Sequence, residues 1–259
     1  MIESSSNQQI KYLLHVKKNG RFRRKEQIFL VEGWKMVEEA LGHGLVQRLY
    51  VSEQHQMEAQ NRFGDVTTKV EVLSEKVFAE VSDTMTPQGV LATVKMPEYH
   101  LQDYLKKENI SFLCLEDIND PGNLGTMMRT AEGAGMTGVI MSKGTVDIFN
   151  PKVVRSTMGS LFRVPFFYTE DFCEAMNCLQ DANVTLYAAH LKGSTAYMQE
   201  KYEGNTGIMI GNEANGLSEA ATSKADCLVR IPMDGQLESL NAAVSAAILM
   251  YEVRRNRRS

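Results

Sequence analysis

The sequence predicts an α/β protein, a C-terminal domain built on a parallel sheet joined to a smaller N-terminal α/β domain. Three observations carry this. The C-terminal half alternates short apolar strands with helical segments, the pattern of a parallel sheet covered by helices on both faces. Polar, glycine-bearing loops stand at the carboxyl ends of several of these strands, where ligands bind on open parallel sheets. The chain has 259 residues, enough for two domains of about 100–150 residues each.

Residues 1–95 carry the smaller domain. A helical opening leads to an apolar strand at Ile28–Glu32 and a helix at 33–42, with Trp34, Val37 and Leu41 at helical spacing. Residues 49–51 and 70–73 predict short strands, 74–81 a helix with Ser74 as its cap, and 90–94 a closing strand. The sequence Met96-Pro-Glu-Tyr-His100 opens a linker spanning 96–109. Residues 110–259 carry the larger domain. Strands are predicted at 112–115, 139–141, 164–168, 184–189, 208–210 and 227–231, and helices at 125–134, 152–161, 171–181, 217–223 and 242–255. The polar loops are 116–125, 211–216 and 232–241.

Net charge is −4, which by itself argues against a nucleic-acid partner, but the distribution argues for one. Lys11, Lys17, Lys18, Arg21, Arg23, Arg24 and Lys25 follow one another without an intervening acid, interleaved with Tyr12, His15 and Phe22. Such a segment can neutralise phosphates and stack bases; a plain solvated surface is the alternative. Arg254, Arg255, Arg257 and Arg258 end the chain, where cations suit a helix C-terminus. Cys114, Cys173, Cys178 and Cys227 form no CxxC pair and read as reduced packing residues of a cytoplasmic protein. The N-terminus lacks the apolar core of a signal peptide, and no apolar run approaches the roughly 20 residues that span a membrane.

Familiar nucleotide and metal patterns are absent. Gly133-Ala-Gly135-Met-Thr-Gly138 fits GxGxxG, but it follows a helix and precedes a strand, the reverse of a dinucleotide fingerprint. It reads as a helix C-cap and turn. There is no P-loop and no GxSxG elbow, and the five histidines are scattered without zinc spacing.

Asn123 and Arg129 lie on the loop and helix that follow the strand at 112–115. Helix capping alone would account for Asn123. Arg129 has Gly125 and Gly133 four residues to either side, an arrangement that clears space around a guanidinium able to grip a phosphate or carboxylate. Surface pairing of Arg129 with Glu132 or Asp117 is the alternative. Gly211-Asn-Glu-Ala-Asn-Gly216 leaves a strand as a tight turn holding Glu213. Ile231-Pro-Met-Asp-Gly-Gln-Leu-Glu-Ser-Leu-Asn241 runs from a strand into an alanine-rich helix, with Ser239 or Asn241 as cap. Ala242, Ala243, Ala246 and Ala247 leave one side of that helix open to close packing.

These three segments, in this order and at successive strand ends, resemble the SpoU (TrmH-like) branch of the SPOUT methyltransferases, which methylate ribose 2′-oxygens of RNA. The first family motif matches at Asn123 and Arg129, the second at Gly211, Glu213 and Gly216, and the third at Ile231, Pro232, Met233, Gly235, Ser239, Leu240 and Asn241. Residues 152–165, with Arg155, look like the family's connecting segment. Residues 10–95, with Phe29-Leu-Val-Glu-Gly33, look like its substrate-binding domain. One departure is mild: Ala242 stands where the family more often has Val.

The resemblance implies a C-terminal domain tied in a trefoil knot that holds S-adenosyl-L-methionine. It places cofactor contacts at Gly211, Ile231 and Leu240, with Ala189, Leu191 and Met233 as walls. Arg129 would have the central catalytic role, positioned with the help of Asn123, Glu213, Ser239 and Asn241. Lys17, Lys18, Arg21, Arg23, Arg24, Lys25 and Arg155 would contact RNA. It further implies a homodimer formed through the knotted domain, no metal and no membrane. Ribosomal RNA is the first expectation for the substrate and transfer RNA the second. The rivals are a non-catalytic RNA-binding assembly factor on the same scaffold and a doubly wound oxidoreductase, for which the loop 116–125 lacks a glycine fingerprint.

Overall fold

The computed structural model describes residues 1–64, 69–193 and 195–258, the last of these by its backbone only. They form two compact units. The first comprises Met1–Glu98 and Asp147–Phe162, the second Tyr99–Val146 and Arg163–Ser259.

In the first unit α1 (Gln8–Lys18) and α2 (Gly20–Glu26) lead into β1 (Ile28–Glu32), α3 (Trp34–Gly42) and β2 (Val46–Ser52). Next come α4 (Gln56–Phe63), β3 (Lys69–Leu73), α5 (Glu75–Val81) and β4 (Val90–Lys95). The sheet order is β1-β4-β2-β3, antiparallel on both sides of β4 and parallel between β2 and β3. Asn19 separates the two opening helices: its N–H donates to the His15 carbonyl, and its side chain accepts from Phe22 N–H as the cap of α2. Ser74 caps α5, as expected. The helix α4 escaped prediction because its sequence is polar and buries only Ala59, so no apolar stripe marks it.

Residues 147–162, which the sequence places in the larger domain, pack in this first unit. The rings of Phe149 and Phe162 lie 4.8 and 6.1 Å from that of Phe29. The helix predicted at 152–161 is only Pro151–Thr157, because Met158 and Gly159 turn left-handed with φ 52° and 94°.

The second unit contains α6 (Leu101–Leu105), β5 (Ser111–Leu115), α7 (Pro121–Ala134) and β6 (Gly138–Ser142), with α8 (Pro151–Thr157) belonging to the first unit. It continues with β7 (Phe166–Thr169), α9 (Phe172–Asp181), β8 (Val184–Ala189) and β9 (Thr195–Ala196). It ends with β10 (Asn205–Ile210), α10 (Glu219–Thr222), β11 (Cys227–Arg230) and α11 (Ala242–Arg258). The seven strands form one parallel sheet in the order β7-β6-β5-β10-β8-β11-β9, as the alternating pattern predicts. The late strand β10 is inserted between β5 and β8. Its register pairs Ile210 with Leu115 and Met209 with Ala188, while Leu228 of β11 also pairs with Ala188. The carboxyl ends of β5, β10, β8 and β11 therefore stand side by side.

Several elements differ from their sequence forecast at the edges. The helix α7 begins four residues early, because Asp120 caps it and Pro121 occupies its first turn. Gly135 ends it at φ 72°, the C-cap expected of the GxGxxG-like stretch. The helix predicted at 217–223 is the single turn α10, capped by Ser218. The helix α11 packs along α7 with Ala243 and Ala246 buried, so half of the alanine face is used inside the chain. Gly133 serves this packing: a Cβ there would lie 3.0 Å from Tyr251 Oη. Arg257 pins the end of α11 to the amino edge of the sheet, donating to Ser111 Oγ at 2.8 Å, to the Gly204 carbonyl at 3.2 Å and to the Ile110 carbonyl. Among the described residues no helix is long and apolar enough to cross a membrane, and no cluster of three His, Cys, Asp or Glu is placed to hold a metal.

Candidate functional site

Because β10, β8 and β11 are neighbours, the loops that leave their carboxyl ends enclose one cavity of about 660 Å3. Ala189, Leu191, Gly211, Ile231, Met233 and Leu240, scattered over fifty residues of sequence, all line it. Glu213 and Ser239 line it too. Leu191 and Leu237 are 65% and 69% exposed on its walls. Large apolar side chains left bare around a concave site are what an apolar part of a ligand covers.

The turn after β10 is built from its own polar groups. Asn212 and Gly216 exchange backbone hydrogen bonds of 3.0 and 2.9 Å, and Asn212 Oδ1 accepts from the N–H groups of Ala214 and Asn215. Gly216 is left-handed at φ 68°. A Cβ on Gly211 would fall 2.1 Å from Gly216 C and Leu217 N. Glycine at 211 is thus required by the closeness of the turn's own backbone.

A chain of hydrogen bonds joins the loops after β5, β10 and β11. The Glu213 carboxylate accepts from Asn123 Nδ2 at 3.0 Å and from the N–H groups of Asn119 and Asp120 at 3.1 and 3.0 Å. Asn241 Nδ2 donates to Asn123 Oδ1 at 3.0 Å, and Asn241 Oδ1 accepts from Ala243 and Val244 N–H as the cap of α11. Capping accounts for Asn241 but not for Asn123: Asp120 caps α7, accepting from Asn123 N–H at 2.8 Å, which frees the Asn123 side chain to bridge the other two. Ser239 leaves the capping to Asn241. Sequence reasoning missed Asp120, although an Asp directly before Pro is itself a helix-start signal.

Burial acts to raise the pKa of Glu213, and the hydrogen bonds from Asn123, Asn119 and Asp120 outweigh it, so the carboxyl sits below the usual range. Its contribution is present above the unfolded value and lost only as pH falls through the lower folded one. The Asn119 and Asp120 amide resonances are accordingly expected to show no titration step above about pH 5. A step near neutrality in an NMR titration would contradict this.

Arg129 lies on the exposed side of α7, and its side chain makes no hydrogen bond or ion pair among the described residues. Its alternative partners are engaged elsewhere: Glu132 pairs with Arg163 at 2.5 Å, and Asp117 accepts from Ser142 Oγ at 2.6 Å. The space attributed to Gly133 belongs to Tyr251 instead. Arg129 does not line the cavity, and its guanidinium is open to a ligand outside it.

The basic stretch of the first unit divides in two. Arg23 is 4% exposed, pairs with Asp147 at 2.6 Å and donates to the Val16 and Lys17 carbonyls, so it is an internal strut rather than an RNA contact. Lys17 Nζ donates to the Glu80 and Ser82 carbonyls, and Arg155 pairs with Asp83 at 2.8 Å. Lys18, Arg21, Arg24 and Lys25 remain exposed, with no ion pair among the described residues. Phe22 meets Tyr12 and His15 edge to face at 5.5 and 5.3 Å, so these rings bind α2 to α1 and are not free stacking platforms. Of the terminal arginines, Arg255 pairs with Glu252 at 2.5 Å and Arg254 sits over the Tyr251 ring at 5.4 Å; the Arg258 side chain lies outside the described residues.

Known proteins share this arrangement. Residues 111–251 match the model of the SpoU rRNA Methylase family, and residues 7–92 match that of the MRM3-like substrate binding domain. The chain is 37% identical over 258 residues, 98% of each protein, to the 23S rRNA (guanosine(2553)-2'-O)-methyltransferase RlmP of Bacillus subtilis (strain 168). The crystal structure of the SpoU methyltransferase AviRb from Streptomyces viridochromogenes in complex with the cofactor AdoMet superposes with a TM-score of 0.89 at 28% identity, covering 98% of this chain and 99% of that one. The AdoMet-bound rRNA methyltransferase from Sinorhizobium meliloti does so with a TM-score of 0.86 at 31% identity, covering 98% and 97%. With a family model spanning more than half its length and a relative similar from end to end, this chain belongs to the SpoU rRNA methylase family.

Proposed function

We propose that this protein transfers the methyl group of S-adenosylmethionine to a ribose 2′-oxygen of ribosomal RNA. The carrying observation is the single cavity lined by the six predicted cofactor residues and bordered by the Glu213–Asn123–Asn241 chain. Its size and its bare leucines suit a ligand with an apolar part, and the ionised Glu213 carboxylate on its wall suits a cationic one. The Bacillus subtilis relative, named for 2′-O-methylation of 23S rRNA, supports ribosomal over transfer RNA.

When bound, S-adenosylmethionine supplies an electrophilic methyl carbon. The residues of the chain have the other tasks. Gly211, Ile231 and Leu240 present loop backbone and apolar surface to the cofactor. Arg129 orients the RNA phosphate and lowers the energy of the developing ribose alkoxide. It does not remove the proton, because arginine stays protonated below about pH 12. Asn123, Glu213 and Asn241 hold the three loops in one arrangement, and Ser239 faces the ribose from the cavity wall. The trefoil knot and the domain division at 96–109, amended by the return of 147–162 to the first unit, belong to the same reading.

Mapping 2′-O-methylation in total RNA with and without the gene tests this: one ribosomal site is expected to disappear. Loss of a transfer RNA site would move the substrate, and no loss together with no calorimetric S-adenosylmethionine binding would favour the non-catalytic assembly factor.

The first unit would deliver RNA through Lys18, Arg21, Arg24 and Lys25. Reversing Arg21, Arg24 and Lys25 to Glu should weaken RNA binding at least about 100-fold and flatten its salt dependence by roughly three charges. An unchanged salt slope in filter binding would contradict it. We also place the protein in the cytoplasm as a homodimer through the larger domain, with the exposed Val244 and Tyr251 of α11 at the interface. A monomer by light scattering at micromolar concentration would overturn that assembly.

A further inference from the structure

Every residue of the run from β5 into α7 is tied to a neighbouring loop. Glu116 N–H donates to the Ile210 carbonyl at 2.9 Å, and the Glu116 carboxylate accepts from Ser218 N–H and Oγ, both at 2.7 Å. The Asp117 carbonyl accepts from Asn212 Nδ2 at 2.7 Å, and the Ile118 carbonyl from Val146 N–H at 2.8 Å. Asn119 and Asp120 donate to Glu213.

One residue in this run has a left-handed backbone. Asp117 is left-handed at φ 56°, a region uncommon for residues with a side chain, although Asp enters it more readily than most. Asn212 holds its carbonyl, and one hydroxyl holds both its N–H and its carboxylate. Ser142 Oγ, at the end of β6, accepts from Asp117 N–H at 2.8 Å and donates to Asp117 Oδ1 at 2.6 Å. Its one proton is thereby committed, so the 3.3 Å contact with Thr145 Oγ1 is donated by the threonine. Ser142 is 6% exposed. Gly144 leaves the room this needs, since a Cβ there would fall 2.1 Å from Asp117 Oδ1. Neither Ser142, Gly144 nor Asp117 lines the cofactor cavity.

We propose that Ser142 is a positioning residue for methyl transfer. By holding Asp117 left-handed, it aims the Asn119 and Asp120 N–H groups at Glu213 and so fixes Asn123 one bond, and Asn241 two bonds, further on. The inference rests on the assignment of Glu213, Asn123 and Asn241 to the site. Displacing positioned groups by about an ångström can cost on the order of 100-fold in rate.

Ser142→Ala is expected to lower kcat roughly 10- to 100-fold while the KM for S-adenosylmethionine stays within about twofold. The discriminating variant is Asp117→Gly in the Ser142→Ala background. Glycine enters the left-handed region freely, so kcat should return to within about threefold of wild type. A serine that merely supported the fold would not be bypassed in this way. Asp117→Val offers a second route with Ser142 intact: a β-branched residue resists the left-handed region, and kcat should fall as it does for Ser142→Ala. Should Ser142→Ala fail to fold, judged by its circular dichroism melt, the contrast between an active Asp117→Gly and an impaired Asp117→Val carries the test. Full activity of Ser142→Ala or Asp117→Val, or no recovery in the double variant, would overturn the proposal. Full activity of Glu213→Gln would instead overturn the site assignment beneath it.

Discussion

Arg129→Ala is expected to lower kcat by about 10³-fold or more, some 4 kcal/mol of transition-state stabilisation, while the Kd for S-adenosylmethionine changes less than about threefold. The two halves of this expectation have separate physical grounds. Arg129 projects from the exposed side of α7 and lies outside the set of residues lining the cavity, so its loss leaves the cavity walls in place. Its charge is not neutralised by Glu132, which pairs with Arg163, or by Asp117, whose carboxylate is held by Ser142. A free guanidinium at a site where negative charge develops acts mainly on the transition state. Arg129→Lys should recover only part of the rate, because an ammonium cannot form the planar two-point contact with a phosphate. Single-turnover methylation and calorimetry read the two quantities. Equal losses in rate and cofactor affinity would contradict the division of labour.

Gly211→Ala is expected to abolish measurable S-adenosylmethionine binding and to lower Tm by roughly 6–12 °C, the consequence of about 3 kcal/mol of destabilisation in a chain of this size. The added Cβ would lie 2.1 Å from Gly216 C and Leu217 N, backbone atoms locked by the Asn212–Gly216 hydrogen bonds. No side-chain rotation relieves such a contact; the turn itself must open. Gly216→Ala meets nothing within 4 Å and is strained only by its φ of 68°, so its cost should be nearer 1 kcal/mol. Melting curves with and without cofactor separate the two variants. Equal effects would show that backbone strain, and not the close approach at 211, governs the turn.

What was legible in the sequence follows the range of the interactions involved. The strands β5, β6, β8, β10 and β11 are short apolar runs and were readable from pattern alone, as was the cap of α5 at Ser74. The helix α4, with one buried residue, had no pattern to read. The first turn of α7 was missed because a Pro-Gly-Asn run resembles loop chemistry, while its Asp120 cap and its Pro121 in the first turn make it a helix start. The basic stretch from Lys11 to Lys25 looked uniform, yet Arg23 points inward to Asp147, a residue 124 positions away. Side chains of one charge are sorted into struts and free cations by what lies beneath them, and that is not written locally.

The sequence by itself determined the parallel α/β class and the three loops that bear Asn123, Glu213 and Asn241, because these follow from local periodicity and short motifs, and the resemblance of those motifs pointed to the family. Only the tertiary structure decided that the loops meet. It did so by inserting β10 between β5 and β8, which places four strand ends in a row and lets Glu213 reach Asn123, and Asn123 reach Asn241, across 90 and 118 residues of chain. Pairing between distant strands depends on register and burial summed over the whole sheet, a quantity no short window of sequence contains.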